Sequence, residues 1–216
     1  MKTPLKTTQA FTLIELLVVI AIIAILASLA IPQIAAAILR GQMTQTINNA
    51  RQIHMATLNM ANDYAVNQNP KLGWPGDLAK SADEPVTNLT QFVKRLEKFD
   101  YLKKSDIAKA FSAPGIRAYD GTGEFTSENS AFKIYKVTDS DVSNVLFCAT
   151  KNYTFGKGLD AATSPYADKG FMILRKGGDA VPYFNRESAL NKNIGFMPGS
   201  SSQESPGTES DANTWK

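Results

Sequence analysis

From Phe11 to Leu39 the chain reads FTLIELLVVIAIIAILASLAIPQIAAAIL, with Glu15 as its only charge; the next is Arg40. At about 1.5 Å of rise per residue, a helix from Leu16 to Leu39 extends roughly 36 Å, enough to cross a hydrocarbon core of about 30 Å. Leu, Ile and Val fill eleven of the positions from Leu16 to Ile31. At about 0.3 to 0.6 kcal/mol each, they favour insertion by roughly 3 to 7 kcal/mol. The pattern predicts a membrane-spanning helix. Pro32 removes a backbone donor and crowds the carbonyl of Ser28, and Gly41 adds a second soft point, so a hinge is expected at these two positions.

Beyond Arg40 the pattern becomes amphipathic. Ile47, Ala50, His54, Thr57, Ala61 and Tyr64 recur at spacings of three and four between polar residues, which predicts that the helix continues to about Val66. Residues 67–75, with two prolines and Gly73, end it. Residues 70–86 read as a loop fastened by Trp74 and lying across that helix. A second helix is expected from about Asn88 to Phe99, with Leu89, Phe92, Val93 and Leu96 inward and Lys94, Arg95 and Glu97 outward. A short third helix from Ser105, read as its N-cap, to Phe111 precedes Pro114-Gly115. Ala131–Val137 and Val145–Tyr153 have strand composition. Gly170–Arg175 and Ala180–Phe184, joined by Lys176-Gly177-Gly178-Asp179, read as a hairpin whose second strand is an edge because it contains Pro182. From Gly195 the chain is rich in Ser, Gly, Pro and Glu and reads as a flexible tail, with Trp215 expected in solvent. The fold class is therefore α+β: a long N-terminal transmembrane and spine helix packed on a small antiparallel sheet.

Charge refines the picture at the front of the chain. A carboxylate inside an apolar span is costly and by default a functional-site candidate that needs a partner, which singles out Glu15; the alternative is an interfacial Glu solvated by headgroups. The preceding MKTPLKTTQA carries Lys2 and Lys6 and no acid, so it is expected on the cytoplasmic side, with the rest of the chain across the membrane. An ordinary secretory signal cleaved at Ala35-Ala36-Ala37 is the rival reading. Its apolar core would exceed the usual length of about 7 to 15 residues, and it leaves Glu15 unexplained.

A basic leader, a small residue, Phe11-Thr12-Leu13-Ile14-Glu15 and about twenty apolar residues together resemble the class III signal of type IV pilins and type II secretion pseudopilins. The resemblance is sharp over residues 1 to about 40 and weak beyond. It implies cleavage by a prepilin peptidase between Ala10 and Phe11, methylation of the Phe11 amine, and an assembly role for Glu15. The family's residue before the cut is nearly always Gly, and here it is Ala10. A pilin-like fold is implied, with residues 1–10 as leader, 11–39 as transmembrane and polymerisation helix, 40–66 as the soluble half of the spine helix, 67–194 as the globular domain and 195–216 as the tail. The implied location is the bacterial inner membrane, single-pass, with the C-terminal domain periplasmic. The implied partners are other pilin-like subunits in a homo- or hetero-oligomeric filament, the peptidase, assembly platform proteins and the lipid bilayer.

Composition narrows the chemistry. The formal net charge of +3 comes without a clustered basic face, so nucleic-acid binding is not indicated. Cys148 is the single cysteine; it excludes an intrachain disulfide, including the C-terminal one that the resemblance implies for many surface pilins, and reads as a small buried apolar residue. No metal cluster or nucleophile motif is visible. Gly121-Thr122-Gly123 lacks a following apolar helix and is not read as a phosphate loop. His54, the only histidine, reads as a packed residue rather than a base or ligand. No cofactor is expected. Loop acids at Asp120, Glu124, Asp139, Asp141, Asp160 and Asp168 leave calcium as a weak alternative. The functional expectation is a structural, non-enzymatic pseudopilus subunit, with a surface pilin as the alternative. A membrane-tethered monomeric enzyme or binding protein is the rival from another class.

Overall fold

The computed structural model describes residues 12–184, 186–200 and 206–215. The chain divides after Gly41 into two units. The long helix α1, Leu13–Asn67, contributes to both.

In the first unit α1 is long and apolar enough to span a membrane, and its large side chains from Leu13 to Ile38 are all exposed. Helical structure runs without interruption through Pro32 and Gly41. Pro32 has no N–H to offer the Ser28 carbonyl. The Ser28 hydroxyl donates to the Ile25 carbonyl at 2.7 Å. A missing bond of this kind removes one rung from the ladder while the neighbouring turns keep theirs.

In the second unit α1 buries Met43, Ile47, Ala50, Ile53, His54, Thr57, Met60 and Ala61, the face expected from the three-and-four spacing. Tyr64, placed on that face by the same spacing, is 40% exposed, because the core ends one turn earlier. The helix stops at Asn67, where Gln68 takes a positive φ of 50° and donates its N–H to the Tyr64 carbonyl, a left-handed exit. Trp74 then folds back against His54 and Phe147. The segment expected as plain loop contains a short helix α2, Pro75–Ala79, since proline at a first helical position is pre-set for the turn.

Helix α3, Leu89–Lys98, is capped by the Asn88 side chain, which accepts from the Gln91 N–H at 2.9 Å. Its apolar stripe is buried as expected. Arg95 is not on the outer face: it is 5% exposed, and its guanidinium donates to the carbonyls of Lys71 at 2.8 Å and Glu84 at 3.1 Å, fastening the preceding loop. Helix α4, Lys104–Ala110, begins after Lys103, so Ser105 lies inside its first turn instead of capping it.

The main sheet has β1 (Phe132–Tyr135), β2 (Leu146–Thr150), β5 (Phe171–Arg175), β6 (Ala180–Tyr183) and β7 (Thr214–Trp215) in the order β6-β5-β2-β1-β7, each pair antiparallel. Strand β6, with Pro182, is the expected edge. In the hairpin turn Gly178, at φ +87°, is the residue that needs a left-handed backbone. The stretch expected as one strand from Val145 to Tyr153 breaks after Thr150, and β3 (Tyr153–Thr154) pairs with β4 (Gly158–Leu159) in a separate ribbon. At the break, the buried Asn152 amide donates to the carbonyls of Ala167 and Gly170, turning the chain out of the sheet.

The tail expectation is corrected for its described parts. Phe196 bridges to Val145, Met197 is buried, and β7 closes the β1 edge with Ile134 opposite Trp215. Trp215 is 3% exposed and packs beside Phe92. Glu209 is buried with Lys133, their charged atoms 2.5 Å apart, and also accepts from the Tyr135 hydroxyl and the Phe155 N–H. Composition alone missed this because three apolar residues, Phe196, Met197 and Trp215, and one paired carboxylate are enough to dock a polar segment.

Candidate functional site

The N-terminal end of α1 carries the site. Thr12 precedes the helix, and its backbone N–H and hydroxyl both donate to Glu15 Oε2, at 2.8 Å and 2.7 Å. The Glu15 N–H lies 3.3 Å from Thr12 Oγ1 and donates back to it. This reciprocal pattern is a capping box: the residue before the helix and the third residue within it satisfy each other's orphan groups. The carboxylate also sits at the positive end of the helix dipole. Both Thr12 bonds use Oε2, and among the described residues none uses Oε1. Thr12 was missed in the sequence reading, although the spacing Thr12-x-x-Glu15 is the signal for such a box.

Of the other sequence-predicted residues, Ala10 and Phe11 lie outside the described residues. Pro32 and Gly41 lie within continuous helix, and a Cβ built on Gly41 would meet nothing within 4 Å. No part of the structure brings Glu15, Pro32 and Gly41 together; they are spaced along one element.

The remaining candidates are engaged in structural roles. His54 is 4% exposed and its Nε2 lies 2.7 Å from the Lys176 carbonyl, so Nε2 carries the proton. The ring packs between Trp74 and Phe147. Burial holds its pKa below the ordinary value, partly offset by the bond to Lys176. Cys148 is fully buried in β2.

Among the described residues no group of three or more His, Cys, Asp or Glu side chains is placed to hold a metal. Of the loop acids, Asp120 and Asp160 bond their own turns. Asp120 accepts from the Thr122 N–H, Asp160 from the Ala162 N–H and Thr163 hydroxyl, and both have lowered pKa values for that reason. Asp141 accepts from Thr138 and Gly199. Glu124 pairs with Lys94. Between the carbonyls of Asp139 and Asp141 stands the Lys176 ammonium, at 2.5 Å and 2.6 Å, a cation supplied by the chain itself.

Residues 5–31 match the family described as the prokaryotic N-terminal methylation motif. The chain carries the type IV pilin and pseudopilin signature. No curated protein and no solved structure matches it. The match runs from Leu5 through the Thr12–Glu15 box and along the apolar helix as far as Ile31. The chain thus combines the motif with a helix long and apolar enough to span a membrane and an α+β, pilin-like fold.

Proposed function

We propose that this chain is the structural subunit of a type II secretion pseudopilus, inserted with its N-terminus in the cytoplasm, trimmed after Ala10, methylated at Phe11 and polymerised through its apolar helix in the periplasm. The observation that carries the reading is the methylation motif at residues 5–31 running into an exposed apolar helix whose one charge is Glu15. In a bundle of such helices, Glu15 meets the Phe11 ammonium of a neighbouring subunit. At about 4 Å in an effective dielectric near 20, that attraction is worth roughly 4 kcal/mol. The pairing favours one axial stagger, since a misplaced neighbour leaves both charges unmatched. Prepilin peptidase, inner-membrane platform proteins and other pilin-like subunits are the partners this route requires. Pro32 and Gly41 supply compliance along the helix during assembly. The lone, buried Cys148 favours the pseudopilus over a surface pilus stabilised by a C-terminal disulfide.

Glu15→Gln and Glu15→Ala variants test the reading. Both should insert in the membrane at the normal level and give at least about tenfold less filament, the loss that corresponds to about 1.4 kcal/mol of subunit contact. Normal filament yield from either variant would overturn the assembly role.

A further inference from the structure

The loop between β4 and β5 reaches α1 just after Gly41. Tyr166 and Ala167 both have positive φ, 66° and 50°, a left-handed conformation that non-glycine residues hold only where their surroundings impose it. The imposing contacts are present. Asn152, itself fully buried, donates to the Ala167 carbonyl at 2.6 Å and the Gly170 carbonyl at 2.8 Å. Gly170 lies so close to α1 that a Cβ there would fall 2.4 Å from the Met43 methyl and 2.5 Å from the Tyr183 carbonyl oxygen.

The strained pair directs one group at the helix. The Tyr166 hydroxyl lies 2.5 Å from Thr46 Oγ1 and 3.1 Å from the Gln42 carbonyl oxygen. Thr46 Oγ1 is in turn 3.0 Å from that same carbonyl. Two hydroxyl protons are thus shared among three oxygens on one helical turn, so that two of the three contacts are hydrogen bonds at a time. Met43 and Thr46, in that turn, are buried. Upstream, the residues from Pro32 to Arg40 keep at most Leu39 partly covered, and a Cβ built on Gly41 would meet nothing beyond its own helix within 4 Å.

We propose that Tyr166 is a positioning residue whose clasp on Gln42 and Thr46 fixes the boundary between the part of α1 that can loosen and the part that is held. The proposal rests on the reading of α1 as an assembly helix that must yield between Pro32 and Gly41. A hydroxyl clasp suits this task because it adds hydrogen bonds to a helix carbonyl without interrupting the helix. It raises the free energy of opening the turn at residues 42–46 and leaves the turns before it unchanged.

The test is hydrogen exchange followed by mass spectrometry on the full chain in detergent micelles, before any assembly, comparing wild type with Tyr166→Phe and Thr46→Val. Loss of one net hydrogen bond should speed exchange of amides in residues 42–50 by about fivefold, with residues 171–175 of β5 unchanged in both variants. Unchanged exchange over residues 42–50 would overturn the proposal. Equal acceleration in β5 would also overturn it, because the bond would then support the whole unit rather than a boundary. The measurement uses unassembled subunits, so failure of the clasp and failure of the filament reading give separate results.

Discussion

Glu15 shows how one residue serves two states. In the single chain its carboxylate is held by Thr12 through one oxygen, so it does not wait unsatisfied for a partner. In the proposed filament a neighbour's ammonium reaches the same group. The spacing Thr12-x-x-Glu15 that signals the cap stands in the sequence, but it was masked by the apolar run and went unread. The inward turn of Arg95 was not legible, because a long cationic side chain at a helical spacing reads as solvent-facing unless the carbonyls it will meet, those of Lys71 and Glu84, are already known to lie beside it. His54 gives a prediction at this scale. Burial lowers its folded pKa below the unfolded value of about 6.5, so the unfolded chain binds the proton more tightly. Its contribution to stability is therefore present above about pH 6.5 and lost as pH falls through the folded value. The urea midpoint of the full chain in detergent should drop from pH 7 to pH 5, and His54→Gln should show a smaller drop. An identical pH slope in the variant would contradict this.

Among the elements, those with a strong period were legible in advance. The helix α1 ends one residue from its expected limit, α3 presents its expected apolar stripe, and β5 and β6 form the hairpin. Elements that depend on partners distant in sequence were not. The strand β2 ends where Asn152 finds the Ala167 and Gly170 carbonyls, and β7 exists because Ile134 and Tyr135 offer it an edge. Docking of that last element concentrates in Glu209, buried with Lys133, Tyr135 and the Phe155 N–H. Breaking a buried pair by removing one partner strands the other charge, at a cost of about 3 to 5 kcal/mol. Glu209→Ala should lower the unfolding free energy of the full chain in detergent by that order and expose the C-terminal segment to protease. A loss below about 1 kcal/mol, typical of surface pairs, would show that the pair does not hold the segment.

At the scale of the whole molecule, the front of the chain and the α+β unit carry different kinds of information. The motif is local: a leader, a small residue, Phe11 and Glu15 at fixed spacing before an apolar run, so residues 5–31 identify it without the rest of the chain. The α+β unit was legible as a class from its helix and strand patterns, while its docked C-terminal segment required the three-dimensional partners of Glu209 and Trp215. The central claim joins the two parts: the apolar helix is retained after processing and becomes the polymerisation element. Its most direct test is the mass of the N-terminal peptide from the mature protein purified from its membrane. A peptide beginning at N-methylated Phe11 is the predicted result; one beginning at Met1, or after Ala37, would contradict the account.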